Sequence, residues 1–508
     1  MNDAAKDANT PNVLLICCDH LRADWLSCNG HPVAMTPQMD KLAYQGVNFR
    51  AAFSECPVCV PGRRILMTGL GPYAIHMNRN VDRQPFLEGP KLAEVMTRAG
   101  YQTFASGKLH VCPQRNRIGF EDVQLNEEGR KQDDEHFVDD YEAFLNDSGY
   151  AHLAYTHGLG NNEYGVRMSP VPEPYTTTHW TAQEAMRFLE RRDPTRPFFL
   201  YVSFDKPHPP ITPPQEYYAL YREQEMPAPA WGAWLEDKLP ESIRQKRLAH
   251  DMASGKIAPL IEQQTLRGYA ALVTHIDSMI GVLLGTLREK GLLDNTHVLL
   301  TSDHGDTLFD HGNVAKSDFF RGSTGVPYIV RPAPTWGDAH DYRPDRADTD
   351  RPVGLMDVMP TIMELCGLEI PGSVEGSSLV PLLLDPGAPF RKLTYGSCDA
   401  AYAVSDGRFK YMWFGDEGLE FLFDTHEDPA EEHDLAEDPA MAGRRDAYRG
   451  ALLAWMAGHG DPHVQEGALA PNQVGSIRPE RRAELGRGEL GRAELARARN
   501  VWNNRGRH

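Results

Sequence analysis

Short apolar runs that stop abruptly on acids or histidines constrain this chain more than anything else in its sequence. NVLLICC ends at Asp19 and His20, PFFLYVSF runs into Asp205, Lys206 and His208, and THVLLT gives way to Ser302, Asp303 and His304. Runs this short, with almost no polar alternation, describe strands buried on both faces, as parallel strands are. Helical patterns feed them. Lys91 to Arg98, stopped at Gly100, precedes a further strand, YQTFAS, that exits into GKLH. A capping box, Thr181 to Glu184, opens AMRFLERR ahead of PFFLYVSF. Leu266, Tyr269, Val273, Ile276, Ile280, Leu283 and Leu287 keep helical spacing ahead of THVLLT. Thr36-Pro37 starts one more helix, which stops at Gly46 and leads into a strand VNFRAAF. Repeated helix-then-strand order predicts an α/β fold built on a doubly wound sheet, whose strand exits are where ligands bind.

The 508 residues can bury a large core. Past a turn-rich stretch from Gly367 to Gly376, and beyond Lys392, the pattern changes to short strands such as YAVSDGRFKYMWF and GLEFLFD. These predict a smaller C-terminal α+β subdomain with an antiparallel sheet. The expected divisions are residues 1–385, 386–470 and an Arg/Glu-rich tail, 471–508. The tail carries AELGR-GELGR-AELAR, from Ala483 to Arg497. A five-residue step turns a helix by about 140°, so its leucines form no seam. It reads as a solvated helix or as a segment that orders against a partner subunit, a route to a homo-oligomer.

Lys and Arg number 52 against 71 Asp and Glu, a formal charge of -19. That balance disfavours nucleic acid and anionic membranes as partners, and any anionic substrate must be attracted locally. Acids near the N-terminus do not suit a secretory signal, and Val13 to Cys18 is too short to span a bilayer, so a cytoplasmic location is expected. The eight cysteines form no disulfide framework and read mostly as small core residues.

One stretch asks for more. In ECPVCVPGRR, Pro61 suits the first turn of a helix, which places Cys59 at a helix N-terminus where negative charge is favoured, with Arg63 and Arg64 close by. Alone this reads equally well as a buried cysteine ahead of surface arginines. Asp19, Asp303 and His304, at two strand exits, converge if the sheet is parallel, and such hard ligands suit Ca²⁺ or Mg²⁺, with Mn²⁺ left open by the imidazole. Lys108 and His110 in GKLH, His208 in DKPHPP and Lys316 in HGNVAKSDFF stand where an oxyanion clamp would.

CVPGRRILMTG resembles the sulfatase signature C-x-P-x-R followed by TG. GKLH is similar to the family's GKWH, KPHPP to its PHxP segment, SDHG to its SDNG or SDHG, and EFLFDTHEDPAEEHDLA to a segment of the smaller sulfatase domain. The resemblance runs from about Asn12 to Ala436. It implies an alkaline-phosphatase-like doubly wound mixed sheet flanked by helices, and hydrolysis of a sulfate ester to an alcohol plus sulfate. It further implies that Cys59 is oxidised to formylglycine by a formylglycine-generating enzyme. Hydrated to a geminal diol, that residue attacks sulfur. Asp19, Asp303 and His304 would hold one divalent metal with the modified Cys59, Ca²⁺ first among candidates and Mn²⁺ or Mg²⁺ after it. Arg63, Lys108 and Lys316 would neutralise sulfate charge, His110 would serve the second hydroxyl, and His208 with Lys316 would protonate the leaving oxygen.

Departures from the pattern bear on the site. His20 stands where many sulfatases have a second aspartate, and its place in the metal shell is open. Gly62 replaces serine or alanine, a change expected to be tolerated. Asn80 is a candidate added ligand, and Asp205 with Lys206 reads as a solvated pair. The rival readings are a phosphonate monoester or phosphodiester hydrolase of the same superfamily, which typically carries a GYTDT-like segment in place of GKLH, and a catalytically silent homologue that binds sulfated ligands. Residues 113–174 and 210–261, with Trp231 and Trp234, are expected to supply the pocket rim.

Overall fold

The computed structural model describes residues 10–471, apart from residues 82, 132, 133, 135, 154, 155, 251, 253, 254, 256 and 343–346. In chain order its main elements are β1 (Asn12–Asp19), α1 (Pro37–Gln45), β2 (Val47–Phe49), α2 (Cys59–Thr68), α3 (Leu92–Arg98), β3 (Gln102–Gly107), β4 (Asp122–Leu125) and α4 (Thr177–Arg191). They continue with β5 (Phe198–Pro207), α5 (Pro259–Glu289), β6 (Thr296–Ser302), β7 (Tyr328–Arg331) and β8 (Ala347–Thr349). The strands form one sheet in the order β4-β3-β5-β1-β6-β7-β2-β8. The first five run parallel; β7 is antiparallel to both β6 and β2, which makes the sheet mixed.

Side-chain alternation along β1 divides the protein into two cores. Val13, Leu15 and Cys17 face one, Leu14, Ile16 and Cys18 the other, and all six are fully buried. The second core includes the apolar face of α5, the one helix among the described residues long and apolar enough to cross a membrane. It packs instead against α1, α4 and β5.

Register decides where the site forms. Cys17 pairs with Ser203 on one side and Thr301 on the other, and Ser203 pairs with Gly107. Four strands therefore end level, and the residues that follow each of them leave along one edge of the sheet.

Two local expectations are corrected. VNFRAAF is not one strand: it breaks at Arg50, and Ala52–Phe53 pairs with Val353–Gly354 in a separate ribbon. The capping box at Thr181 lies inside α4, which starts at Thr177 because the Thr176 hydroxyl accepts from the His179 N–H at 3.3 Å and buried Trp180 extends the apolar face upstream.

Beyond the main sheet, β9 (Thr394–Cys398), β10 (Ala401–Ser405), β11 (Phe409–Phe414) and β12 (Leu419–Asp424) form an antiparallel meander. One face carries α6 (Ala442–Gly458) through Leu452 and Met456; the other sends Ala403, Met412, Phe421 and Phe423 into the main core. Trp234, expected at the pocket rim, belongs to this junction: its ring stacks on Phe320 at 5.0 Å and meets Phe421 edge-on at 5.0 Å. The cysteines form no disulfide among the described residues. The repeats from Ala483 to Arg497, and with them the expected partner segment, lie outside the described residues.

Candidate active site

Cys59 is the first residue of α2, as its proline predicts, and Gly69 ends that helix at φ 65°. The N-cap, Val58, offers no side-chain hydrogen bond. Asn80 supplies one instead: its Oδ1 accepts from the Val60 N–H at 3.0 Å, so it caps the helix from a neighbouring loop. Gly62 is more than a tolerated departure. A Cβ there would stand 2.7 Å from the Asp303 carbonyl oxygen, so glycine lets α2 lie directly against the exit of β6.

Around the Cys59 sulfur the strand exits meet. Lys316 Nζ donates to it at 3.0 Å, His304 Nε2 lies at 3.2 Å and Asp19 Oδ1 at 3.7 Å. His110 is also hydrogen-bonded to it. Lys316 Nζ also pairs with His20 Nε2 and stands 3.3 Å from His208 Nε2. Arg63 spreads its guanidinium over Asp303 Oδ2 (2.9 Å), Asp19 Oδ2 (3.3 Å), the Lys108 carbonyl (2.7 Å) and Ser203 Oγ (2.8 Å). Lys108 pairs with Asp19. Asp19, His20, Cys59 and His304 each offer one ligand atom, all within 4.8 Å of one another. Asp303 stands beside this group, with Oδ1 3.7 Å from His304 Nε2 and Oδ2 engaged by Arg63.

Electrostatics follow from this packing. Burial alone would push the Cys59 thiol up, yet Lys316, Lys108 and His304 hold it well below its ordinary range. Burial and Cys59 oppose ionisation of Asp19, and Lys108, His208 and Arg63 overcome them. Asp303 moves the other way, raised by burial and by the neighbouring Asp19 charge. Burial pushes both His110 and His208 down to about 3, with Arg130 adding to the first and Glu128 resisting at the second. The pocket is thus arranged to hold negative charge on the side chain at position 59 and on whatever anion lies beside it.

The order of motifs now has an external match. A profile of the sulfatase family covers residues 11–368, and one described as N-sulphoglucosamine sulphohydrolase, C-terminal, covers 309–453. The chain belongs to the sulfatase family. This sulfatase is 31% identical to an arylsulfatase of Clostridium perfringens, across 90% of this chain and 97% of that protein. It is 28% identical to the multifunctional alkaline phosphatase superfamily protein PehA of Trinickia caryophylli, across 89% and 96%. The crystal structure of a phosphonate monoester hydrolase of Agrobacterium radiobacter superposes with a TM-score of 0.72 at 26% identity, across 88% of this chain and 96% of that one.

Several side chains of the sulfatase site escaped the sequence reading. Asp306, three residues after Asp303, binds His20 Nδ1 at 2.7 Å and accepts from the Tyr164 hydroxyl at 2.5 Å, which fixes the His20 ring. Glu127, Glu128 and Arg130, in the loop after β4, close the site over Lys108 and His110. Asp205 and Lys206 are buried, not solvated: Lys206 Nζ donates to the His208 carbonyl at 3.0 Å and so fixes the turn that aims His208.

Proposed function

We propose that this chain hydrolyses a small-molecule sulfate ester with formylglycine, made from Cys59, as the nucleophile and one divalent cation beside it. Family membership makes the protein a sulfuric ester hydrolase; the nucleophile, the metal and the substrate are the proposed parts. The observation that carries the reading is the meeting of Lys316, His304 and Asp19 around the Cys59 sulfur. That sulfur belongs to an unmodified thiol and marks where the oxygens of the modified residue would sit.

The donor set fits a divalent cation: carboxylate, imidazole and the side chain at position 59 converge within 4.8 Å. Asp19, Asp303, His304 and the modified Cys59 would hold it, with His20 in reach. Bound there it would polarise a sulfate oxygen and ease deprotonation of the nucleophile. Ca²⁺ is the first candidate, and the imidazoles keep Mn²⁺ and Mg²⁺ in contention; elemental analysis of the purified enzyme separates them.

The chain's own residues supply the rest. Arg63, Lys108 and Lys316 present cations to the non-bridging oxygens of the ester, where water is excluded and fixed charges act most strongly. His110 orients the modified side chain and takes up its proton. His208, with Lys316 Nζ 3.3 Å from its Nε2, gives the departing alcohol oxygen its proton. A formylglycine-generating enzyme is the maturation partner this scheme requires.

Mass spectrometry of the Cys59 peptide, with turnover of a panel of sulfate esters by the modified enzyme, tests the reading. An unaltered thiol accompanied by ordinary turnover, or wild-type rates in Cys59→Ala, would overturn it. The resemblance to a phosphonate monoester hydrolase at 26% identity favours a second reading, phosphonate monoester hydrolysis by the same residues. Comparison of kcat/KM for an aryl sulfate and an aryl phosphonate monoester decides between them.

A further inference from the structure

The loop after β4 brings into the site a charge that the roles above leave unused. The Glu128 side chain is 4% exposed, and its φ is 56°, a left-handed conformation uncommon for a residue with a side chain. Its position is fixed from both sides. Glu127 Oε1 accepts from the Leu109 and His110 N–H groups at 3.1 and 2.9 Å, and Asp139 Oδ2 accepts from the Glu127 N–H at 2.7 Å. Glu128 Oε2 accepts from Lys108 Nζ at 2.8 Å and pairs with Arg130 Nη1 at 2.6 Å. Its other oxygen, Oε1, lies 3.6 Å from His208 Nδ1 and has no hydrogen-bond partner among the described residues.

One carboxylate therefore spans two groups from different strand exits, Lys108 after β3 and His208 at the end of β5. The His208 ring has its Nδ1 2.5 Å from the Pro209 carbonyl, so Nδ1 carries hydrogen and Nε2 faces Lys316. The Pro209 carbonyl takes the Nδ1 hydrogen and fixes the ring, and the Glu128 carboxylate 3.6 Å behind it stabilises positive charge on it while the opposite nitrogen handles the proton. Buried carboxylates without such duties are costly, and this one is held ionised by Arg130, Lys108 and His208 against its burial.

We propose that Glu128 is a positioning residue for departure of the alcohol, anchoring Lys108 by hydrogen bond and setting its charge behind His208 so that the leaving oxygen is protonated where the sulfate charge is neutralised. In that step the oxygen of the modified Cys59 bonds to sulfur as the S–O bond to the alcohol breaks, the electron pair stays on the alcohol oxygen, and the proton comes from the His208–Lys316 pair; Glu128 neither gains nor loses one. The inference rests on the assignment of His208 as proton donor.

The test compares kcat/KM of the wild type, Glu128→Gln and His208→Ala on 4-nitrophenyl, phenyl and alkyl sulfates, with Cys59 modification matched by mass spectrometry. A group that supports leaving-group protonation matters most for the most basic alcohol, so the Glu128→Gln loss should grow from about tenfold on the nitrophenyl ester to about 10³-fold on the alkyl ester, in parallel with His208→Ala. A uniform loss for Glu128→Gln, with a growing one for His208→Ala, overturns the positioning role and leaves the donor assignment standing. A uniform loss for His208→Ala overturns the donor assignment, and the proposal with it. If Glu128→Gln does not fold, Glu128→Asp is measured in its place: it keeps the charge but draws it back, and a smaller loss with the same leaving-group trend supports the proposal, whereas a uniform one overturns it.

Discussion

Arg63 donates through Nε to Asp303 at 2.9 Å across 240 residues of sequence, which ties α2 to the exit of β6, the strand beside β1. The same guanidinium reaches Asp19, so it neutralises both carboxylates of the site from one position. Replacement by methionine would leave Asp303 without its guanidinium partner and Asp19 to Lys108, and breaking a buried pair in this way costs about 3–5 kcal/mol. Urea unfolding of Arg63→Met should show that loss. Arg63→Lys keeps the charge but not the fork, and should recover part of the stability while remaining far below wild-type turnover.

Asn80 acts on the helix, and removing its side chain should behave as the loss of a cap. Asn80→Ala is expected to cost about 0.5–2 kcal/mol in urea unfolding, with bound metal unchanged by elemental analysis. Loss of metal without loss of stability would place Asn80 among the ligands instead.

Trp234 joins the small sheet to the main core, donating through Nε1 to the Glu431 carbonyl at 2.9 Å as well as stacking on Phe320. Trp234→Ala should destabilise by about 3–5 kcal/mol. Residual turnover per folded molecule should stay near wild type; a raised KM with unchanged stability would return this residue to the substrate rim.

Glu55 gives the stability a pH dependence. Burial, aided by the nearby Asp357 charge, pushes its carboxyl up to about 8, against hydrogen bonds from the Leu355 and Met356 N–H groups. The native state therefore holds this proton between about 4.5, the ordinary glutamate value, and about 8, where the unfolded chain has released it. Its contribution is fully present below the lower value and is lost as pH rises through the upper one. Urea midpoints at pH 5, 7 and 9 should fall more steeply for the wild type than for Glu55→Gln; parallel curves would show that Glu55 does not carry the effect.

Legibility in the sequence followed burial. β1, β5 and β6 could be read because both faces are covered and the run of apolar residues ends where the backbone leaves the core, so Asp19, His208 and Asp303 announced themselves. Arg63 and Lys108 came from motif context. Glu128 and Arg130 did not, because β4 is a short edge strand with Asp122 exposed and the NEEGRK that follows looks like a solvated charge run. Only the fold shows that Lys108 and His110 lie beneath it. The reading of Trp234 as rim failed for the opposite reason: an aromatic in a long connection looks available until Phe320 and Phe421 are placed against it. Asn80 and Asp306 act through a backbone amide and a ring, contacts whose partners lie in other segments.

The folded protein leaves Cys59 about 1% accessible, beneath His304 and Lys316, which follow it by 245 and 257 positions in the chain. Those covering groups leave the ribosome long after the thiol does. An enzyme that modified this sulfur, as proposed above, would reach it in the nascent chain, before the later half closes over it, and the timing of translation would then set the extent of modification.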